Sequence, residues 1–391
     1  MVNSTTGNRK HFIYTLAATT LFISTYYLLL PVLPLYMQGM GGSKFKIGLI
    51  MGLFSASSLF LRPLAGQASD LKGPVKIMKW TILLYFITPF FYMTHSFVLV
   101  SIAQLFYGFT IGAFTISSAT VITTSVPLEK VGQAIGIHSI ALILAKGLAP
   151  TLGTLVHTVW GLYPLIAITV LFSFAALLVT WRLPEIKPAS KPGDITFRQV
   201  LTYRMVWVCS LVLLSVTLTF GTIMTMLPLL ALERNISQYS LFFTVNTLAV
   251  VATRLFTGRQ DRLTQEALIA VSLLLIFLAV MLVSGSYSLI TLIIAAIIYG
   301  LGYGAVYPAL STLVVLRTPS EIRGSAFGLF TAAFDIGVTL GSVWGGFSEY
   351  LGFKTIYFLA SFSPVIGLIC FVVFLHGENV WNKILMRNAA K

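Results

Sequence analysis

Asp335, in the stretch FTAAFDIGVTLG, and Lys146, in ALILAKGLAPTLG, are ionisable residues set inside otherwise apolar segments. A charge in hydrocarbon costs on the order of 3 kcal/mol and marks an ion or substrate pathway by default. A carboxyl that is alternately dried and rehydrated can take up and release a proton, so Asp335 is the first candidate for proton coupling, with Lys146 beside it. The alternative use of either residue is a buried pairing with an opposite charge or a backbone carbonyl. His138 shares the apolar stretch of Lys146 and is able to relay a proton or to hydrogen-bond within a packed core. Tyr26, Gln104 and Asn246 are polar positions of the kind that line a cavity. No His-Glu-x-x-His and no cluster of intramembrane acids occurs, so the constellation of a membrane-embedded protease or lipid transferase is missing and an enzyme is not expected. Cys209 and Cys370 both fall in apolar runs, which argues against a disulfide framework or a thiolate metal site; no metal or cofactor is expected.

The elements that must carry these residues are membrane spans. Only 9% of the 391 residues are charged and 57% are hydrophobic, with a mean hydropathy of +0.92, against about 25% charged in ordinary soluble domains. Stretches of roughly 20 apolar residues suffice to cross a bilayer. They occur near 12–36, 47–68, 80–97, 98–124, 133–156 and 161–181, and again near 205–230, 238–258, 267–284, 288–315, 324–347 and 355–376. The expected fold is all-α, with twelve transmembrane helices in two halves: residues 1–182, a polar linker at 183–204, and residues 205–391. The first apolar stretch has no small-residue cleavage site and reads as a retained span. Counting 1.5 Å per residue from Gly324 puts Asp335 about 16 Å into the eleventh span, near the midplane.

Alternating the twelve spans from a cytoplasmic N-terminus assigns twenty of the 25 Lys and Arg residues to the cytoplasmic side. Lys44, Lys46, Arg234 and Lys354 fall on the other side, and Lys146 lies within a span. The positive-inside rule therefore predicts both termini on the cytoplasmic side, with the plasma membrane as the expected location. It also accounts for the formal charge of +14 without any nucleic-acid partner.

A shift of 192 residues superposes Arg62 on Arg254, Gly66 on Gly258, Tyr107 on Tyr299, Gly108 on Gly300 and Gly112 on Gly304. The pattern Pro-x-Glu-x-x-Gly-x-Ala-x-Gly recurs in the same register at 127–136 and 319–328. The halves are internal repeats, and repeated membrane halves place a site between two pseudo-symmetric bundles, as in secondary transporters. A channel needs no such repeat.

Twelve spans in six plus six, with a charged Gly66-x-x-x-Asp70 segment after span two and a degenerate copy at Gly258–Asp261, resemble the major facilitator superfamily. The segment runs Gly66-Gln-Ala-Ser-Asp70-Leu-Lys72-Gly73; its glycine and aspartate fit the family's loop motif and its basic residues are displaced. By that resemblance Arg62, Gly66, Asp70 and Gly73, with Arg254, Gly258 and Asp261, form a cytoplasmic gate, and Asp70 locks the outward-facing state through a helix end of the other half. Gly147, Pro150 and Gly153 partly match the glycine–proline motif that exporters of the superfamily carry in span five. Together with Gly341 and Gly345 they supply small residues and a bend to a rocking interface. An aspartate in span eleven resembles one branch of the superfamily. The arginine usual in span four of its drug–proton antiporters is absent, since this chain has Gln104–Gly108 there, and span one has no acid. The resemblance implies a monomeric, proton-coupled exporter of a small molecule working by alternating access. An importer or facilitator of an anionic or zwitterionic metabolite is the alternative.

Overall fold

The computed structural model describes residues 4–127, 130–186, 203–256, 262–319 and 323–389. In hydrocarbon every backbone polar group needs an internal partner, which leaves helices as the solution for sequences of this pattern. The first half comprises α1 (Ser4–Leu29) and α2 (Leu33–Gly39), α3 (Lys44–Lys72), α4 (Pro74–Tyr85), a 3-10 turn (Thr88–Thr94), α5 (Phe97–Thr124), α6 (Val131–Trp160) and α7 (Leu162–Trp181). The second comprises α8 (Arg204–Glu233), α9 (Leu241–Phe256), α10 (Arg262–Ser284), α11 (Leu289–Leu316), α12 (Arg323–Gly346) and α13 (Ser348–Ala389). Eleven stretches of the described residues are long and apolar enough to cross a membrane, and α9, at 16 residues, stands in the place of the eighth span. Threonine and serine hydroxyls within the spans fold back onto carbonyls one turn earlier, as Thr20 does on Leu16 and Thr169 on Leu165, which satisfies them without a polar neighbour.

The expected spans are found, with several edges corrected. Span one is broken at Leu30–Val32, where Pro31 cannot donate to the helical ladder, so α1 and α2 follow one another across a bend. Span three begins earlier, at Pro74, and ends as the 3-10 turn that starts beside Pro89. Span twelve begins at Ser348 with a break at Gly352, whose φ of +75° lies in the left-handed region. The segment read as a charged loop after span two is helical as far as Lys72: α3 continues through Arg62, Pro63 and Gly66 and stops at Gly73, whose φ of +91° ends one helix and opens the next. Arg62 thereby stands more than two turns inside a helix.

The packing obeys the repeat. Within the first half α1 packs on α6 and α7, α3 on α5, and α4 on α5 and α7; the equivalent pairs α8 with α12 and α13, α9 with α11, and α10 with α11 and α13 pack likewise in the second. Between the halves α3 packs on α12 and α6 on α9, the same contact taken twice under the repeat. The glycine register is the packing register: a Cβ at Gly108 would lie 1.9 Å from the Phe54 carbonyl oxygen, and one at Gly300 would lie 2.5 Å from that of Asn246, 192 residues further on. Gly112 against Ser58 and Gly304 against Val250 repeat the match. The result is two pseudo-symmetric helical bundles meeting along α3, α6, α9 and α12.

Candidate functional site

Each of the four interface helices brings one ionisable side chain toward the middle of the molecule. Arg62 comes from α3, Lys146 from α6, Arg254 from α9 and Asp335 from α12. Arg62 reaches across the bundles, its Nη2 lying 3.0 Å from Oδ2 and 3.3 Å from Oδ1 of Asp335, and it also donates to Ser58 Oγ at 3.0 Å. Asp335 is buried and lies midway along the apolar part of α12, Ala326–Gly346. Lys146, half-buried at the middle of α6, lies within electrostatic range of Arg62, Asp335 and Arg254, with its Nζ 5.6 Å from the centre of the Tyr27 ring. Arg254, in the last turn of α9, is within range of Tyr303 and Tyr307 of α11, and its buried Nε has no acceptor among the described residues. Tyr307 is in turn within range of Arg62 and Asp335.

Two cations, Arg62 and Lys146, therefore lie within range of the one carboxylate, and Arg254 joins the group through Lys146. The long stems of arginine explain how two cations of the cytoplasmic side reach the spans: an arginine near the end of its apolar stretch can lay its stem along apolar surface and reach a partner deeper in. The ionisable set inside the spans is accordingly Arg62, Lys146, Arg254 and Asp335, in place of Lys146 and Asp335 alone.

Beside this cluster, Tyr27 also borders a cavity between the bundles, walled by Tyr26, Met51, Phe54, Phe220, Met224 and Val338. Tyr26 stacks on Phe54 with ring centres 4.1 Å apart. Of the other polar positions, Gln104 is wholly buried within the first bundle, its Nε2 3.0 Å from Met51 Sδ. Asn246 is buried where α9 meets Gly300 of α11. His138 sits inside the first bundle, 3.2 Å from Ser118 Oγ and 3.5 Å from Thr19 Oγ1. Its partners belong to α5 and α1, and the charged cluster is not among them.

The bundles are joined at the end opposite the basic loops. Lys44 Nζ lies 2.7 Å from Glu233 Oε2, and the Lys44 backbone N–H, at the first turn of α3, donates to Glu349 Oε2 at 2.6 Å. Thr151 Oγ1 donates to the Ser240 carbonyl at 2.8 Å, Thr244 Oγ1 donates to that of Gly147 at 3.2 Å, and the Tyr239 hydroxyl donates to that of Pro31 at 3.3 Å. A Cβ at Gly48 would meet the Ser342 carbonyl oxygen at 2.5 Å. At the basic end Gly66, Gly136 and Gly328 have nothing of this kind within 4 Å. Among the described residues the polar contacts between the bundles gather at one end, and these three glycines of the basic end meet nothing from the other bundle.

Of the small residues expected at a rocking interface, Gly147 alone packs between bundles, its Cβ position 1.7 Å from Thr247 Oγ1. Gly153 packs on Leu28, Gly341 on Leu218 and Gly345 on Met226, all inside their own bundles, and Pro150 is buried within α6. Gly48, Gly52 and Gly346, which do lie between α3 and α12, carry no motif that would have singled them out. Of the expected gate, Gly66 and Gly73 lie on or at the end of α3; Gly258, Asp261 and the side chain of Asp70 lie outside the described residues. Tyr303 and Tyr307 were legible in principle, since Tyr299, Tyr303 and Tyr307 recur every four residues on one face of α11.

A family model, the Major Facilitator Superfamily, matches residues 15–259 and 209–385. The staphylopine export protein of Staphylococcus aureus is 23% identical over 370 residues, covering 90% of this chain and 92% of that one. An uncharacterised MFS-type transporter of Methanocaldococcus jannaschii is 26% identical over 357 residues, covering 88% and 92%. Among solved structures, the human organic anion transporter MFSD10 superposes with a TM-score of 0.71 at 18% identity, over 93% of this chain and 99% of that one. With two repeated bundles, a seam made of α3, α6, α9 and α12, and this match along its length, the chain belongs to the major facilitator superfamily.

Proposed function

We propose that this multi-pass transporter exports a small molecule by alternating access in exchange for protons. One observation carries the reading: the four helices that join the bundles each bring one ionisable group toward the middle, and the described contacts between the bundles gather on one side of that centre, which we read as closed with the other side parted. With the basic loops cytoplasmic, the parted end faces the cytoplasm, where an exporter loads its cargo. The similarity to a staphylopine exporter supports the same direction. In this reading residues 1–182 and 205–391 rock about the centre in a monomer of the plasma membrane, joined by the linker at 183–204, with both termini cytoplasmic.

Asp335 is the proton carrier. While ionised it holds Arg62 across the α3–α12 seam; once protonated it releases the guanidinium, and the contact that ties the two bundles at this depth is lost. A ligand can shift such a two-state equilibrium only through its different affinity for the two states, and the proton meets that condition because it binds a carboxylate that one state pairs and the other frees. His138 and Lys146 are the next carriers to test.

Comparing the metabolites of cells with and without the chain identifies the cargo; proteoliposomes then test the coupling. Asp335→Asn keeps the size of the side chain but cannot titrate. It is expected to exchange labelled cargo across the membrane without a gradient and to fail to concentrate it under an imposed pH gradient. A variant that concentrates cargo as the unaltered chain does would remove Asp335 from the mechanism.

A further inference from the structure

Among the described residues the central charges do not cancel. Asp335 is taken by Arg62, which leaves Lys146 and Arg254 without a carboxylate among the described residues. They lie within electrostatic range of one another, and Lys146 is within range of Arg62 as well. Lys146 has the face of Tyr27 at 5.6 Å, near the outer limit of a cation–π contact. Arg254 has a buried Nε with no acceptor and the tyrosines of α11 within range. Two like charges brought together in this way repel, and nothing in the packing requires them. They come from α6 and α9, which meet each other across the bundles at Gly147 and Thr247.

While the basic end is parted, water reaches and screens such charges. Closing that end removes the water, and two unpaired cations then have no compensation. We infer that the cargo is an anion carrying at least two negative charges, seated between Lys146 and Arg254; this rests on the reading of the central cluster as the cargo site. The guanidinium of Arg254 grips one carboxylate through two parallel N–H donors and the ammonium of Lys146 meets the second. A monoanion would leave one cation unpaired on closure, and a cationic drug would add a charge of the wrong sign. Loaded with a dianion the site is neutral, so closure follows loading, and an empty carrier is held back by its own charge.

Thermal unfolding of the purified full-length chain in detergent, followed by tryptophan fluorescence at constant ionic strength, tests this. The probes are glutarate with two carboxylates, tricarballylate with three, valerate with one, and 1,5-diaminopentane with two cations on the same chain length. Glutarate and tricarballylate are expected to raise Tm saturably, while valerate and the diamine leave it unchanged. Lys146→Gln and Arg254→Gln should each weaken apparent glutarate affinity at least ten-fold. Because each relieves repulsion, neither should lower Tm without ligand. Lys354→Gln, far out on α13, should change nothing. The assignment is overturned if valerate or the diamine stabilises as well as glutarate, if neither polycarboxylate stabilises, or if stabilisation survives both substitutions. Saturable binding of the diamine that Asp335→Asn abolishes would keep the central cargo site and discard the charge class. Indifference of every probe to Lys146, Arg254 and Asp335 would remove the central site itself.

Discussion

The pairing of Arg62 with Asp335 joins two residues 273 positions apart that sequence reading assigned to different tasks. Each was legible alone, Asp335 as a carboxyl in an apolar span and Arg62 as the repeat partner of Arg254. Their contact was not, because Arg62 reads as a gate residue at the cytoplasmic end of span two, whereas α3 runs on to Lys72 and leaves Arg62 well inside the helix. The repeat also stops short of this pair: the position equivalent to Asp335 in α6 is Ile143, so Arg254 has no acid at the equivalent place. Asymmetric charge on a symmetric scaffold is what separates a coupling centre from architecture. Removing one partner of a largely buried ion pair leaves the other uncompensated, a loss on the order of 3 kcal/mol when both are fully buried and smaller here because Arg62 is partly exposed. Arg62→Gln is therefore expected to lower Tm by a few degrees, and adding Asp335→Asn should restore most of that loss, since the double variant leaves neither member of this pair charged without the other. Thermal unfolding of the three proteins checks this; additive losses would mean that the pair is not coupled.

Glycines decide what each helix can do, and the structure divides them into two kinds. Gly108 and Gly300 bring α5 against α3 and α11 against α9 inside a bundle, where an added Cβ would strike backbone that cannot move. Gly147 brings α6 against α9 between bundles, where the obstacle is the Thr247 side chain and the two partners are free to separate. Gly108→Val is accordingly expected to abolish folded protein, whereas Gly147→Val should reach the membrane in near-normal amount and lose transport, because the seam at the closed end no longer shuts. Fluorescence-detected gel filtration and a transport assay on both variants distinguish the two outcomes; equal yields would contradict the division. The 192-residue register predicted which glycines are equivalent, and the packing bears it out. Which glycines face the other bundle was not legible, because a period within one helix says nothing about which neighbour covers each face.

For the whole molecule the sequence carried more. Twelve spans, the basic excess on one side and the repeat follow from the cost of unpaired backbone and of charge in hydrocarbon, and the contact pattern repeats as the register requires. What composition could not carry is the state of the molecule, which depends on weak links at its rim. The charged part of the latch at the closed end is an exposed ion pair, Lys44 with Glu233, and a helix-capping bond in which the first turn of α3 donates to Glu349. Such links are worth about 1 kcal/mol each, enough to favour a closed end by tenfold or more without locking it.

Alternating access requires the two ends to move in opposite senses, and paired spin-label distances read this directly. In a chain carrying Cys209→Ser and Cys370→Ser, labels at Gly136 and Gly328 report the parted end, and labels at Gly39 and Tyr350 report the closed one. In the otherwise unaltered protein the first pair is expected to be far apart and the second close. With Glu233→Gln and Glu349→Gln added, a second population should appear in which the first pair is shorter and the second longer, in equal proportion. Single unshifted distances at both ends, or two ends that lengthen together, would contradict alternating access as the working motion of this chain.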